Sequence, residues 1–189
     1  MEDNWKFPIK NSNAISISYG NLLKKTKIIK IEYLYLDLAT CDRCIGTDAV
    51  LEQVLEVIRP ALQLAGYTVD YRKVEIQNVQ LAEQYHFLSS PTICVNGHDI
   101  CQTVQENDCV CCGEISGTSV TCRIFAYDGK MYEVPPKEML AESILRSIFA
   151  ADLETTVETQ VYTLPENLKN FFEGKAQKAA CCSCGSDCC

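Results

Sequence analysis

Between Ile28 and Leu38 the chain is apolar, aromatic and β-branched, and three residues further on it reads Cys41-Asp42-Arg43-Cys44. A continuous run of that kind predicts a strand buried on both faces. Thr47-Asp48 then opens an apolar-periodic segment through Val50, Leu51, Val54, Leu55, Ile58, Leu62 and Leu64, closed by Gly66. This predicts a long helix, kinked at Pro60. A dithiol where a buried strand hands over to a helix restricts the fold strongly. It sets Cys41 near a helix N-terminus, where unpaired N–H groups and the macrodipole favour thiolate. Cys44, three residues on, shares that side and can attack a sulfur held by Cys41. Thirteen cysteines produce about one C-x-x-C by chance, so position and not spacing carries the inference.

The remaining pattern alternates in the same way. Tyr67 to Ile76 reads as a second strand and Val79 to Tyr85 as a short helix. Pro91 to Val95 is a β-type run, and Asn96-Gly97 is a favoured hairpin turn into a strand near Asp99 to Cys101. A cysteine-bearing loop follows to about Ser119, then a hairpin from Thr121 to Tyr127 through Asp128-Gly129 to Lys130–Val134. Pro135-Pro136 opens a helix carrying Met139, Leu140, Ile144, Leu145, Ile148 and Phe149 on one side. Residues 1–26 form an N-terminal extension able to add an edge strand, and 27–151 the main domain, with a cysteine-rich loop at 101–122. Residues 152–180 are a partly helical extension with one amphipathic piece, Leu164 to Phe172, and 181–189 a cysteine-rich tail. From Gly174 onward the chain offers little to bury and is expected to be mobile without a bound ion.

Composition narrows the chemistry. Of 189 residues 47% are hydrophobic, enough for a core without metal or disulfide support, and a net charge of −8 opposes nucleic acid and anionic membranes as partners. The N-terminus lacks a secretory pattern and no stretch has membrane-span length, so a cytoplasmic location is expected. A reducing compartment favours catalytic or metal-binding thiols over structural disulfides. Cys111-Cys112, Cys181-Cys182 and Cys188-Cys189 are neighbours in sequence. Consecutive Cα atoms about 3.8 Å apart are closer than a relaxed disulfide prefers, so such pairs suit gripping one soft ion.

In its order of parts the sequence resembles the thioredoxin superfamily: strand, C-x-x-C, helix, strand, helix, then Ser90-Pro91-Thr92 opening a hairpin at Asn96-Gly97. The resemblance implies an α/β fold, a thioredoxin-like mixed sheet flanked by helices, with the cysteine-rich loop as an insertion and a flexible C-terminal tail. It also implies a cis Pro91 facing the dithiol, and catalytic roles for Cys41, Cys44 and Pro91. Asp42-Arg43 replaces the usual Gly-Pro, and Thr40 the usual tryptophan. Asp42 works against a thiolate and Arg43 for it. A closer likeness is to a bacterial thioredoxin-like family carrying a domain-of-unknown-function label. It rests on Thr40 to Cys44, Ser90 to Ile93, Cys109-Val110-Cys111-Cys112 with Cys122-Arg123, and Tyr132 to Pro135, and spans about residues 28–150.

Two functions of different class follow. One is dithiol/disulfide exchange, Cys41 attacking a thiol or disulfide substrate and Cys44 resolving it, coupled to handling of a soft metal or metalloid. The other is non-catalytic capture of arsenite, mercury, copper(I) or zinc through sulfur. Cys109, Cys111, Cys112 and Cys122 are expected to converge as a tetrahedral set. Cys181, Cys182, Cys184, Cys188 and Cys189 are expected to act as a thiol arm. A blander alternative is a structural zinc in a protein-interaction domain. His86 and His98 read as surface or turn residues, Cys94 and Cys101 as inert strand thiols.

Overall fold

The computed structural model describes residues 27–101, 103–150 and 161–182, with the side chains given as far as Ala180. The N-terminal extension and residues 183–189 of the tail lie outside the described residues. The first sheet has the order β2-β1-β3-β4, formed by β1 (Lys27–Tyr35), β2 (Tyr67–Glu75), β3 (Thr92–Val95) and β4 (His98–Asp99). β1 runs parallel to β2, from Lys27 opposite Tyr67 to Tyr35 opposite Glu75, and antiparallel to β3. The parallel pair needs a crossover, and α1 (Asp42–Leu64) supplies it. After α2 (Val79–Gln84), the turn at Asn96-Gly97 has positive φ at both residues, which suits a two-residue hairpin.

A second sheet has the order β5-β6-β7, built from β5 (Gln105–Asp108), β6 (Thr121–Tyr127) and β7 (Lys130–Tyr132), with α3 (Val110–Ser116) between β5 and β6. α4 (Lys137–Phe149) and α5 (Glu166–Cys182) complete the chain, giving a mixed α/β fold with helices flanking two sheets. Among the described residues, no helix is long and apolar enough to cross a membrane.

The pleat of β1 divides the interior in two. Ile29, Ile31 and Tyr33 pack with Leu51, Leu55 and Leu62 of α1 and with Leu140 and Ile144 of α4. A second apolar cluster combines Leu34 and Leu36 with Phe87, Val120, Leu168 and Phe171, and contains the thiols of Cys41, Cys44, Cys109, Cys112 and Cys122.

Three segments differ from the sequence expectation. α1 begins at Asp42 instead of Thr47 and runs through Pro60 to Leu64, so both dithiol cysteines belong to its first turn or cap. The cysteine-bearing stretch is not a plain loop, since it holds β5 and α3. The four exposed polar residues of β5 carry no apolar alternation; pairing with β6 makes them a strand. Finally, the helix after Pro165 does not stop at Phe172 but continues to Cys182. Gly174, expected to be mobile, is buried against α3, and a Cβ at this position would overlap Ser116 O and lie 2.8 Å from Thr118 Cγ2. The missing side chain is what permits the approach.

Candidate metal centre

Between β1 and α1 the backbone is held by Asp37, whose Oδ1 accepts from the N–H groups of Ala39, Thr40 and Cys41 and from the Thr40 hydroxyl. Burial would raise this carboxyl, but these bonds outweigh it and hold Asp37 below its ordinary value. Cys41 is the N-cap of α1 and Cys44 lies in the first turn. Both side chains are buried. Cys44 is fixed twice, its carbonyl accepting from the Tyr33 hydroxyl at 2.7 Å and its sulfur lying 3.3 Å from Ser90 Oγ. The following Ser90–Pro91 peptide is cis.

The other thiols arrive from the second sheet and α3. Cys109 caps α3 and Cys112 follows three residues later, so the two lie on one face of the helix. Cys122 stands on β6, opposite Asn107 of β5. The Cys122 thiol donates to Cys112 Sγ at 3.4 Å and the Cys112 thiol to Cys41 Sγ at 3.8 Å. The sulfurs of Cys41, Cys109 and Cys112 all lie within 4.8 Å of one another, the arrangement among the described residues able to hold a metal ion. A zinc ion with Zn–S bonds of about 2.3 Å in tetrahedral geometry sets its sulfurs about 3.8 Å apart, so the spacing fits with small closure. Cys41, Cys112 and Cys122 are 0% exposed and Cys109 6%, so an ion here would be enclosed.

Charge is unevenly shared. Hydrogen bonds from Cys109 first, then from Cys112, Cys122 and Cys44, hold Cys41 far below the usual thiol range. Bonds from Cys112 and then Cys122 lower Cys109 to about 7. Cys44 is pushed up by its bond to Cys41 and by burial, and Cys112 and Cys122 are pushed up chiefly by their bonds with Cys109. The cluster therefore keeps thiolate at Cys41, next at Cys109, with its neighbours as donors.

The structure gathers Cys109, Cys112 and Cys122 but adds Cys41 where the sequence suggested Cys111. Cys111 is half-buried and packs against the same apolar cluster without joining the three close sulfurs. The cause is helical: successive residues on α3 point about 100° apart, so Cys111 cannot share the direction of Cys112. Cys181 and Cys182 end α5, while Cys184, Cys188 and Cys189 lie outside the described residues. Cys94 is buried on β3 and Cys101 half-buried after β4; all eight described thiols are free. His98 is exposed, and His86 stacks on Tyr162.

Arg43 is a structural residue of the site. The sequence suggests only an electrostatic aid to thiolate, whereas the side chain is buried and bonded to the second sheet. A family model described as a domain of unknown function, DUF2703, matches residues 29–144. No curated protein and no solved structure matches the chain. The matched span holds every sulfur of the cluster and stops before α5.

Proposed function

We propose that this chain, which belongs to the DUF2703 family, holds a soft metal or metalloid ion on the sulfurs of Cys41, Cys109 and Cys112, with Cys122 as a fourth ligand. The observation that carries the reading is the approach of three buried sulfurs within 4.8 Å of one another, drawn from α1 and α3. Sulfur donors select thiophilic ions such as zinc, copper(I), mercury or arsenite over magnesium or calcium. The thiol bonds that lower Cys41 favour its thiolate form as a ligand, and the apolar residues around the cluster keep water from competing.

A second reading is dithiol exchange on a thioredoxin-like scaffold, Cys41 as nucleophile and Cys44 as resolving thiol. It is supported by the order of elements around the C-x-x-C, by the lowered Cys41 and by the contact of Cys44 with Ser90. Complete burial of both sulfurs weighs for holding an ion over turnover, because exchange needs in-line access to a sulfur.

Elemental analysis of anaerobically purified protein, with a free-thiol count, tests the proposal. One equivalent of a thiophilic ion with four thiols masked supports it. Metal-free protein that takes up neither zinc nor cobalt(II), and reduces a small disulfide catalytically, would favour dithiol exchange.

A further inference from the structure

One turn of α3 brings Cys109 and Cys112 together, while Cys41, at the start of α1, meets them only where α3 and the second sheet dock against that helix. Cys122 belongs to β6, and its place depends on how the second sheet docks on the dithiol helix. One side chain makes much of that junction. The Arg43 guanidinium donates through Nη1 to Cys122 O at 2.9 Å and Arg123 O at 3.5 Å, and through Nη2 to Asp108 O at 3.2 Å and Glu133 Oε1 at 2.8 Å. Asn107 Nδ2 also donates to Glu133 Oε1, which ties that carboxylate to β5.

The pattern is specific to the thiol site. Cys122 is itself a sulfur of the cluster, Asp108 precedes Cys109, and Arg43 stands between Cys41 and Cys44. One planar guanidinium thus spans the three segments that bear the ligands. A lysine ammonium, a single point donor, cannot reach two strands and a carboxylate together. Arg43 is only 6% exposed, and its Nη1 bonds to the carbonyls of Cys122 and Arg123 are buried, while the Nη2 bonds to Asp108 and Glu133 lie nearer the surface.

Resting on the thiol-site reading above, we propose that Arg43 is the positioning residue of this centre: by holding the carbonyls of Cys122 and Asp108 it makes Cys122 the fourth sulfur. It touches no ion and acts through the backbone of β6. β6 is also tied to the first sheet one residue further on, by Arg123 N to Ser90 O at 2.7 Å and by Arg123 Nη2 to Asp99 Oδ2 at 2.6 Å, whereas Arg43 reaches the carbonyl of Cys122 itself.

Anaerobic titration of the full-length protein with cobalt(II) alone tests this, since visible ligand-field and sulfur charge-transfer bands report the number of thiolates. Arg43→Met should weaken cobalt(II) binding about 10- to 100-fold and change the spectrum towards that of Cys122→Ser. The double variant should bind no more weakly than Cys122→Ser alone, because both changes remove one ligand. Additive losses, or unchanged affinity and spectrum in Arg43→Met, overturn the proposal. If Arg43→Met does not fold by circular dichroism, Arg43→Lys is read in the same cycle; if neither folds, Arg43 serves stability and the proposal fails. Wild-type protein that takes no cobalt(II) defeats the thiol-site reading itself, an outcome distinct from binding with additive losses.

Discussion

The Cys112 thiol meets the sulfur of Cys41 at 3.8 Å, although 71 positions separate them in sequence. The contact makes the leading thiol of the C-x-x-C part of a larger buried set. It also separates the two dithiol residues by role, since Cys44 turns to Ser90 and stands outside the three mutually close sulfurs.

Substitution should expose that difference. Cys41→Ser and Cys112→Ser each remove a sulfur from the close set and should lower cobalt(II) affinity at least 100-fold. Cys44→Ser and Cys111→Ser should bind within a few-fold of wild type. The measurement is competition against a chelator of known affinity. Equal losses in Cys44→Ser and Cys41→Ser would make the C-x-x-C the binding unit and count against the assignment.

The tail supplies another test. α5 lies along α3, with Lys178 Nζ donating to Glu114 O, so the chain beyond Cys182 leaves from beside the site-bearing helix. Seven further residues reach at most about 25 Å, and a tether that short gives an effective concentration on the order of millimolar. Deleting residues 183–189 should therefore slow ion transfer from a chelator to the protein and leave the melting temperature within about 1 °C. Unchanged transfer would remove the tail from the mechanism.

Much of the fold could be read in advance because its signals are local. The buried strand before Cys41, the Asn96-Gly97 turn and the apolar stripe from Met139 to Ile148 each carry their own periodicity or turn chemistry. What escaped depends on tertiary contact. β5 is a strand only because β6 pairs with it, and Gly174 reads as a flexible residue until the closeness of Ser116 is known. The grouping of Cys109, Cys112 and Cys122 was suggested by their density, but Cys41 could be joined to them only by docking the second sheet, and Arg43 carries no motif that announces that contact. One available cue was helical phase: a helix from Val110 sets Cys109 and Cys112 together and turns Cys111 aside.

Cys94, which shares the buried cluster but stands outside the three close sulfurs, gives a stability test. Burial first, then Asp99 and Glu32, pushes this thiol up from 9.0 to about 12. Between pH 9 and 12 the unfolded chain loses the Cys94 proton while the folded one keeps it, so the folded state binds more protons and stability falls as pH rises. The slope for one such group is about 1.4 kcal/mol per pH unit. Cys94→Val keeps an apolar side chain of similar size and should flatten the alkaline loss by that amount, measured by urea denaturation at pH 8 to 11. Parallel curves for the two proteins would show that Cys94 is not the group responsible.

Gly174 decides how tightly α5 seals the thiols. Leu168 and Phe171 of this helix share the buried cluster with Cys109, Cys112 and Cys122, and Asn167 clamps Thr121, accepting from its N–H at 2.9 Å and donating to its carbonyl at 2.7 Å. In Gly174→Ala two effects oppose. Alanine favours the helix by up to about 1 kcal/mol. The new methyl, however, meets the Ser116 backbone carbonyl and Thr118 Cγ2, and backbone cannot rotate away, so the overlap costs roughly 1–3 kcal/mol. The clash should win, by about 1 kcal/mol net, which raises the open fraction of α5 about fivefold. Labelling of Cys109 and Cys112 by an aromatic disulfide reagent should accelerate by that factor, while Cys101, which packs against the other apolar cluster, keeps its rate. A uniform acceleration of all thiols would indicate global destabilisation, and unchanged rates would show that α5 does not control access to the centre.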